Sequence, residues 1–416
     1  MGKTADDVAA RLTSLTLVLL AALALGVGCD GGGGSGDGDG GLGPDGGGPG
    51  PDGGALPDLS AELYDPDVVP TFALELPPAS VDALNQDPLT YVTGTLRYGA
   101  EVVENIGVRL KGEYTFRPLD RKSSFKLKFD EFVPGQEFHG LKRMTFNNTF
   151  EDPSWVAERL TYHTYRAAQL PAPRANSAWI TVNGEAYGLY TNLETEDKRF
   201  LARWFADNGG NLYEERMSEL VPGGEDAFEL ETNELANDRS DLVGLITALD
   251  QTSDATFMAD LAGVLDLDAF LRYCAYEAVV WQWDGYCYTR FGPNNFRLYH
   301  EPTLGKFYFL PWGMDMSLKP YEQGLDVFDA RGLLFQRCLA SDACRASYRT
   351  ALAAAADLVE GLDLPGRVDA WGAQVRPHVA DDPRAEHDVG EFDATLATVR
   401  EVAAGRVTDL RDQLAR

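Results

Sequence analysis

A tract of small and polar residues near the N-terminus limits most strongly what this chain can fold into. From Asp30 to about Pro57 the sequence is almost entirely Gly, Asp and Pro. Such a composition has too little apolar surface to offset the entropy of ordering a chain, so we expect a flexible tether here. A folded unit must be built from the roughly 360 residues that follow, which suffices for one large two-lobed domain or for two domains.

The residues before this tract have the pattern of an export signal. A positively charged start precedes an apolar run from Leu12 to Val27, which is too short for a membrane span. Cys29 follows small residues, as in a lipobox, so we predict a signal peptide over 1–28 and a lipidated Cys29 opening the 29–57 tether. Gly26 stands where Leu is usual, which leaves a cleaved, soluble secreted protein as the alternative. The expected location is the cell envelope, with the lipid anchor on a membrane.

The charge balance restricts the partners of the folded part. Lys plus Arg number 36 and Asp plus Glu number 65, a formal net charge of −29. Such a surface repels phosphate backbones, so nucleic acid is not an expected partner. The same field would repel a nucleoside triphosphate, so a nucleotide site in this chain must supply its own cations and metal ligands.

Four cysteines remain after the N-terminal one, and an even count in an exported chain favours disulfides over a metal site. No Cys-x-x-Cys or His-rich spacing accompanies them. Cys338 with Cys344 is the preferred pair. The alternative is four buried free thiols. The four residues are Cys274, Cys287, Cys338 and Cys344.

Alternating patterns predict strands in the first half of the folded part, two of them with a cationic face. Apolar residues alternate with Arg109 and Lys111 in one segment, and with Lys126 and Lys128 in the next. Adjacent strands would then present cations on the same face. The predicted strands are Thr71 to Leu76, Val92 to Arg97, Ile106 to Lys111 and Phe125 to Phe129.

A helix, a hairpin and a helical second half follow. Asp152, Pro153 and Ser154 have the pattern of a helix start, and the helix is expected to run to about Ala168. Asn183-Gly184 predicts a hairpin turn. The segments from Cys338 onward are helical in pattern. The fold class expected is α+β, with a β-rich N-terminal lobe and a mainly helical C-terminal lobe. Further predicted elements are helices over 198–205 and 267–281 and strands over 295–300 and 306–310.

The order of polar residues suits phosphoryl transfer, which needs a cation on the phosphates, oxygen ligands for magnesium and a carboxylate that orients the acceptor. Lys122 and Lys126 come first, then Asp284, Asn295 and Asp315. In the sequence after Pro57, the protein-kinase motifs Gly-x-Gly-x-x-Gly, His-Arg-Asp and Asp-Phe-Gly do not occur. Because acids at strand ends are also common in structural loops, this order alone leaves the function open.

Several sequence blocks resemble the CotH-type (spore-coat protein H) kinase family, in consistent order from about Leu63 to Arg416. The blocks are Arg109-Leu110-Lys111-Gly112, Lys122 to Phe129, Asn183-Gly184 with Tyr187 to Tyr190 and Glu194, Asn295 to Tyr299, and Phe309 to Asp315. The resemblance implies an atypical two-lobed kinase fold over 58–416, with an N-lobe of about 58–195 and a C-lobe of about 196–416. It also implies ATP with Mg²⁺ or Mn²⁺, and transfer to Ser or Thr of partner proteins.

Site residues follow from the same resemblance, position by position. Asp284 would be the catalytic aspartate, while Asn295 and Asp315 would hold the metal. For each aspartate the alternative is a structural turn or helix-terminal residue. For an exported chain the protein substrate would lie on the cell surface or in the periplasm.

The cations of the nucleotide site are less clearly indicated. Lys126 is the first choice, because it is central in its strand, and Lys122, Arg109 and Lys128 are the other candidates; the alternative is a solvated strand face. Glu158, on the predicted helix, is the natural ion-pair partner for such a lysine. We expect Glu194 near the adenine. Asn147 and Asn148 line the cleft or cap the helix, and His163 is expected to be a packed helix residue.

One departure from the family pattern bears on activity. Members usually show Pro-Trp-Asp before a second aspartate, and Gly313 stands where the first aspartate would be. The rival to an active kinase is therefore a lipid-anchored pseudokinase acting as a binding or structural module. A secreted hydrolase is disfavoured, because neither Gly-x-Ser-x-Gly nor His-Glu-x-x-His occurs.

Overall fold

The structure is a computed structural model that describes residues 58–320 and 324–416. The predicted signal peptide, the lipidation site Cys29 and the tether lie outside the described residues. Within the described ranges no helix is long and apolar enough to cross a membrane.

A closed seven-stranded barrel forms the N-terminal part. Its strand order is β1-β2-β3-β4-β5-β7-β6, and β1 closes the barrel by pairing with β6 in parallel. A short helix α1 (Pro78–Gln86) connects the first two strands. The strands are β1 (Thr71–Glu75), β2 (Val92–Tyr98), β3 (Glu101–Lys111), β4 (Ser124–Lys128), β5 (Arg143–Asn147), β6 (Ala175–Val182) and β7 (Glu185–Leu193).

The predicted alternation sets the two faces of β3 and β4. Leu110 and Phe125 are paired across these strands and fully buried in the barrel core. Arg109 and Lys126 are also a cross-strand pair and point the other way. The cationic face predicted from the sequence is thus on the outside of the barrel.

The hairpin prediction is confirmed. Strands β6 and β7 are joined at Asn183 and Gly184, which have positive φ values of 51° and 82°. Two central residues with positive φ are what a tight two-residue hairpin turn requires, and Asn and Gly adopt this conformation most readily.

The predicted helix start was wrong by four residues. Helix α2 runs Ala157–Ala167, whereas Asp152 was expected to open it. Asp152 instead accepts hydrogen bonds from the backbone nitrogens of Ser154 at 3.1 Å and of Glu158 at 3.2 Å. Trp155 has a φ of 52°, so the chain makes a turn before the helix begins.

A four-stranded sheet and most of the helices form the C-terminal part. The sheet has the order β11-β10-β8-β9. Its strands are β8 (Leu212–Glu215), β9 (Phe228–Leu230), β10 (Phe296–Glu301) and β11 (Lys306–Pro311). The helices are α3 (Lys198–Trp204), α4 (Ser240–Gln251), α5 (Phe257–Leu261), α6 (Leu267–Val279), α7 (Leu333–Ala340), α8 (Asp342–Glu360), α9 (Leu364–Asp381) and α10 (Val389–Leu414).

Two disulfides lie in the helical part. Cys338 pairs with Cys344, the pair expected from the sequence, with Cα atoms 5.1 Å apart. Cys274 on α6 pairs with Cys287 in the loop after that helix, with Cα atoms 5.8 Å apart. The predicted fold class, α+β with a β-rich N-terminal part and a mainly helical C-terminal part, is confirmed.

Candidate active site

A buried carboxylate fixes the loop that carries Asp284. Glu277 lies on α6 and is fully buried. Its carboxylate accepts hydrogen bonds from the backbone nitrogens of Tyr286 at 2.9 Å and of Cys287 at 2.7 Å. The disulfide to Cys274 joins the same loop to the same helix. Asp284 therefore belongs to a segment whose backbone is attached to the helix at two points.

Asp284 and Asn295 are hydrogen-bonded to each other. Asn295 Nδ2 donates to Asp284 Oδ2 at 2.8 Å and to the Asp284 main-chain oxygen at 2.9 Å. The backbone nitrogen of Asn295 donates to Glu215 Oε1 at 2.7 Å. The pKa of Asp284 is raised to about 6, because burial disfavours its charged form and the carboxylate of Asp315 adds repulsion.

Asp315 follows β11 in a single 3₁₀ turn, Met314–Met316. The turn is preceded by Gly313, whose left-handed backbone has a φ of 57°. A Cβ atom at this glycine would overlap the side-chain oxygen of Asn295. The position of the Asn295 side chain therefore requires a glycine at 313. Any side chain there would displace the Asn295 amide that is hydrogen-bonded to Asp284.

A cavity of about 100 Å³ is lined by the predicted metal ligand Asp315, by Lys111 of β3 and by Glu158 of α2. Lys111 Nζ donates to Asn147 Oδ1 at 2.8 Å, and Asn147 Nδ2 donates to Glu158 Oε1 at 3.3 Å. One asparagine thus bridges the lysine and the glutamate. The cavity is lined by Lys111, Thr115, Ser124, Asn147, Asn148, Thr149, Glu158, Leu193, Trp312, Gly313 and Asp315.

The charges around this cavity are buried and mostly negative. Burial raises the pKa of Glu158, and repulsion from Asp315 raises it further. Burial also raises the pKa of Asp315, with the charge of Asp152 adding to the effect. Burial lowers the pKa of Lys111, although Glu158 and Asp315 oppose that shift. Each group thus has a destabilised charged form, and the acids outnumber the cation beside them.

A second lysine, from the C-terminal part, lies next to Asp315. Lys319 Nζ donates to the main-chain oxygens of Glu151 and Asp315, and lies 3.7 Å from Asp152 Oδ1. Burial raises the pKa of Glu151, and repulsion from Asp315 adds to the shift. We call the five carboxylates of this region the acidic group; its members are Glu151, Asp152, Glu158, Asp284 and Asp315.

The structure brings some predicted nucleotide-binding residues near the cavity and not others. Lys126 lies on the outer barrel face next to Arg109, and its charge acts on Lys111. Arg109 lies over the Tyr91 ring, 5.2 Å from its centroid. Lys128, the last residue of β4, forms an ion pair at 2.9 Å with Glu131 in the segment that follows the strand.

Two further predicted residues bind partners outside the cavity. Lys122 forms an ion pair with Asp382, and both side chains are almost completely buried. Glu194 pairs with Arg174 at 2.8 Å and also with Arg203. The structure does not place either side chain among those that line the cavity. His163 packs edge-on against Trp371, as expected of a packed helix residue.

Lys111 is the functional candidate that sequence reasoning missed. It shares the cationic face with Arg109, Lys126 and Lys128, so alternation alone does not distinguish it. A usable signal was its place as the last residue of its strand, directly before a glycine. A larger groove of about 430 Å³ lies along α6 and α8, and Asp268 is the only carboxylate in its lining. We therefore take the smaller cavity as the candidate site.

The chain belongs to the CotH kinase protein family, because the sequence model of that family matches residues 108–410. All the residues of the candidate site fall within this span.

The chain is also similar to several named proteins. Inner spore coat protein H of Bacillus subtilis is 23% identical over 312 residues, covering 71% of this chain and 84% of that protein. Invasin CotH3 of Rhizopus delemar is 24% identical over 279 residues, covering 61% of this chain but only 45% of the invasin. A solved complex of the Shewanella oneidensis MR-1 toxin–antitoxin proteins HipA and HipB with operator DNA matches with a TM-score of 0.33 and 12% identity, over 82% of this chain and 74% of that one.

Proposed function

We propose that this chain is an atypical, metal-dependent kinase that transfers phosphate from ATP to Ser or Thr of proteins at the cell surface or in the periplasm. The observation that carries the proposal is that Asp315, Lys111 and Glu158 line one cavity. Asp284, which is hydrogen-bonded to Asn295, lies close enough to Asp315 to feel its charge. These residues come from both halves of the chain and supply the groups that phosphoryl transfer needs.

The residues present fit a divalent cation. Asn295 directs its side-chain nitrogen to Asp284, which leaves its oxygen as an acceptor beside Gly313. Asp315 presents a buried carboxylate whose pKa is raised. Such a surplus of buried negative charge is what a Mg²⁺ or Mn²⁺ ion would offset, and oxygen ligands are the ones these ions prefer. Asp315 and Asn295 would hold the metal, which would neutralise charge on the ATP phosphates.

The chain's own residues would divide the remaining work. Asp284 would orient the acceptor hydroxyl and receive its proton at a carboxylate oxygen, for which a pKa of about 6 is suitable at neutral pH. Lys111 would place positive charge on the phosphates, with Asn147 and Glu158 fixing its side chain. Lys126 would add a second positive charge from the outer face of β4.

A pseudokinase is the second candidate, and Gly313 favours it. Gly313, which fits against Asn295, stands where the resemblance to the family implies a first aspartate, so Asp315 is the one carboxylate at this strand end. The metal would then keep more water ligands, which weakens binding. A pseudokinase would bind nucleotide without transferring phosphate.

Export and lipid anchoring complete the proposal. They rest on the apolar run before Cys29 and on the Gly-rich tract after it. Labelling of cells with a fatty-acid analogue should tag the protein, and a Cys29→Ala variant should lose the label. A Cys29→Ala variant that kept the label would rule out this anchor.

A label-transfer assay separates the two candidate functions. Purified protein is incubated with radiolabelled ATP and Mg²⁺ or Mn²⁺, with acidic and basic protein substrates, and nucleotide binding is measured in parallel by calorimetry. An active kinase transfers label in a metal-dependent manner, whereas a pseudokinase binds nucleotide and transfers none. If no nucleotide binds with either metal, the kinase proposal is wrong, and a binding or structural module that does not use nucleotide is left.

A further inference from the structure

A connection between the last two helices contacts the loop that borders the candidate site. We call residues 112–123, between β3 and β4, the covering loop, because its Thr115 lines the cavity. We call residues 382–388, between α9 and α10, the latch. The two segments are about 260 residues apart in sequence, and six polar side chains from the two join them.

The innermost contact is the ion pair between Lys122 and Asp382, which are 2% and 0% exposed. The same Asp382 carboxylate accepts a hydrogen bond from the backbone nitrogen of Leu189 at 2.9 Å. Lys122 Nζ also lies 4.9 Å from the centroid of the Tyr190 ring. A Cβ atom at Gly188 would overlap the Asp382 carboxylate, so this close approach needs a glycine. The C-terminal end of α9 is thereby fixed to β7 and to the covering loop together.

Two more charged latch residues bind the outer part of the covering loop. Glu386 accepts from Arg117 Nε at 2.8 Å and 2.9 Å through its two oxygens, and lies 3.1 Å from Arg121 Nη2. Arg384 donates to the main-chain oxygens of Asp120 at 2.7 Å and of Arg121 at 3.1 Å. Both charged side chains and backbone groups of the covering loop are thus engaged.

The latch also reaches the segment before α2, which carries part of the acidic group. His387 Nε2 lies 2.7 Å from the Phe150 main-chain oxygen, next to Glu151. The guanidinium of Arg117 lies 3.9 Å from the centroid of the Phe150 ring. Asn148 Nδ2 donates to the Thr115 main-chain oxygen at 3.0 Å. The latch therefore contacts both the covering loop and the segment before α2.

We propose that Glu386 and Asp382 are positioning residues of the nucleotide site, which act through Arg117 and Lys122 to hold the covering loop over the cavity. The proposal rests on the proposed nucleotide binding. Neither latch residue lines the cavity. Each therefore affects nucleotide binding by changing the fraction of molecules in which the covering loop is in its binding-competent position. Loss of the latch lowers the apparent affinity for nucleotide by the fraction of molecules in which the loop is displaced.

The test uses the full chain and changes the half-buried Glu386, because a change at the fully buried Asp382 risks unfolding. In Glu386→Gln the carboxylate charge that binds Arg117 is lost. We expect amide hydrogen exchange over residues 112–121 to accelerate, and the KM for ATP and the Kd of an ATP analogue to rise about fivefold to tenfold, with kcat changed less than twofold. Asp393→Asn is the matched control, because it breaks the 2.9 Å Arg376–Asp393 pair between the same two helices away from the loop.

A charge exchange gives a second, independent measurement. Arg117→Glu and Glu386→Arg should each loosen the loop, and the double variant should recover most of the exchange protection and nucleotide affinity. Unchanged exchange over 112–121 in Glu386→Gln would overturn the latch, and faster exchange with unchanged nucleotide affinity would overturn its positioning role. Failure of the parent protein to bind nucleotide is a different result, which overturns the proposed function and the nucleotide role of the latch with it, whatever the variants do.

Discussion

Two lysines at the ends of the covering loop, Lys111 and the buried Lys122, have opposite electrostatic surroundings. Lys122 bonds directly to Asp382, so one positive and one negative charge meet in a region that is almost free of solvent. Lys111 bonds instead to the neutral side chain of Asn147, and Glu158 and Asp315 act on it from beyond that amide. The first lysine has a matched partner, whereas the second is one cation facing several acids.

The difference separates a structural pair from a site. A buried ion pair is stable only when both charges are present. Because each charge neutralises the other, the pair has no net charge with which to attract a ligand. Around Lys111 the carboxylates have raised pKa values, which means that their charged forms are held at an energetic disadvantage until a further cation arrives. The comparison predicts that changes near Lys111 mainly affect turnover, whereas changes near Lys122 affect stability and, through the covering loop, nucleotide affinity.

The largest expected effect is on turnover, through the carboxylate at the centre of the site. In Asp284→Asn the group that receives the acceptor proton is lost, and removal of a general base typically lowers the rate about 100-fold to 10,000-fold. Nucleotide affinity should be largely kept, because this residue contributes to the transition state more than to nucleotide binding. Label transfer and calorimetry on the variant and the parent measure the two quantities.

The pH profile is the control for this role. Because the pKa of Asp284 is raised to about 6, kcat/KM should rise with pH through about 6 as the carboxylate loses its proton. The variant should lack this limb in its residual activity. A variant with the parental rate would show that another residue is the base.

Lys111→Met should lower turnover by about 100-fold to 1,000-fold, the usual effect of removing one preorganised charge from a transition state. Nucleotide affinity should fall as well, because the lysine binds phosphate in both states. Stability should change little, since the buried cation that is removed has no carboxylate bonded directly to it. Lys128→Met, on the same outer face, is the matched control and should retain activity. Equal losses in the two variants would contradict the assignment of Lys111.

Lys122→Met should show the reverse pattern in denaturant unfolding. Removing one partner of a buried ion pair typically lowers the free energy of unfolding by about 3–5 kcal/mol. The double variant Lys122→Met with Asp382→Leu should be more stable than Lys122→Met alone, because no unpaired charge remains buried. If Lys122→Met unfolds at the parental denaturant concentration, the pair is not the structural contact that its burial indicates.

The smallest effect is stabilisation by metal. A carboxylate with a raised pKa holds its proton at low pH, so Mg²⁺ competes with a proton for Asp315. Mg²⁺ at about ten times its Kd should raise the free energy of unfolding by on the order of 1 kcal/mol. The accompanying rise in melting temperature should be larger at pH 8 than at pH 5.5. Asp315→Asn should abolish the difference. An equal shift at both pH values, or one kept in Asp315→Asn, would place the metal elsewhere.

Local patterns were sufficient for much of the architecture. Alternation identified β3, β4 and their cationic outer face, and Asn183-Gly184 identified the hairpin, because strand faces and tight turns depend on a few neighbouring residues. The grouping of Asp284, Asn295 and Asp315 was also expected from the sequence, and the structure brings them together. Helix α2 was misplaced at its start, because the Asp152 side chain bonds into a turn that propensities did not reveal.

What only the tertiary structure decided is the identity of the partners. Four cations lie on the outer face of the neighbouring strands β3 and β4. The sequence offers no means of choosing the one that lies close to Glu158 and Asp315. The partner of Lys122 lies 260 residues away, and Glu194 is bound by arginines from two other segments. The physical reason is the range of each effect: backbone geometry is set by nearest neighbours, whereas a buried charge is stabilised by whichever opposite charge the folded chain brings to it.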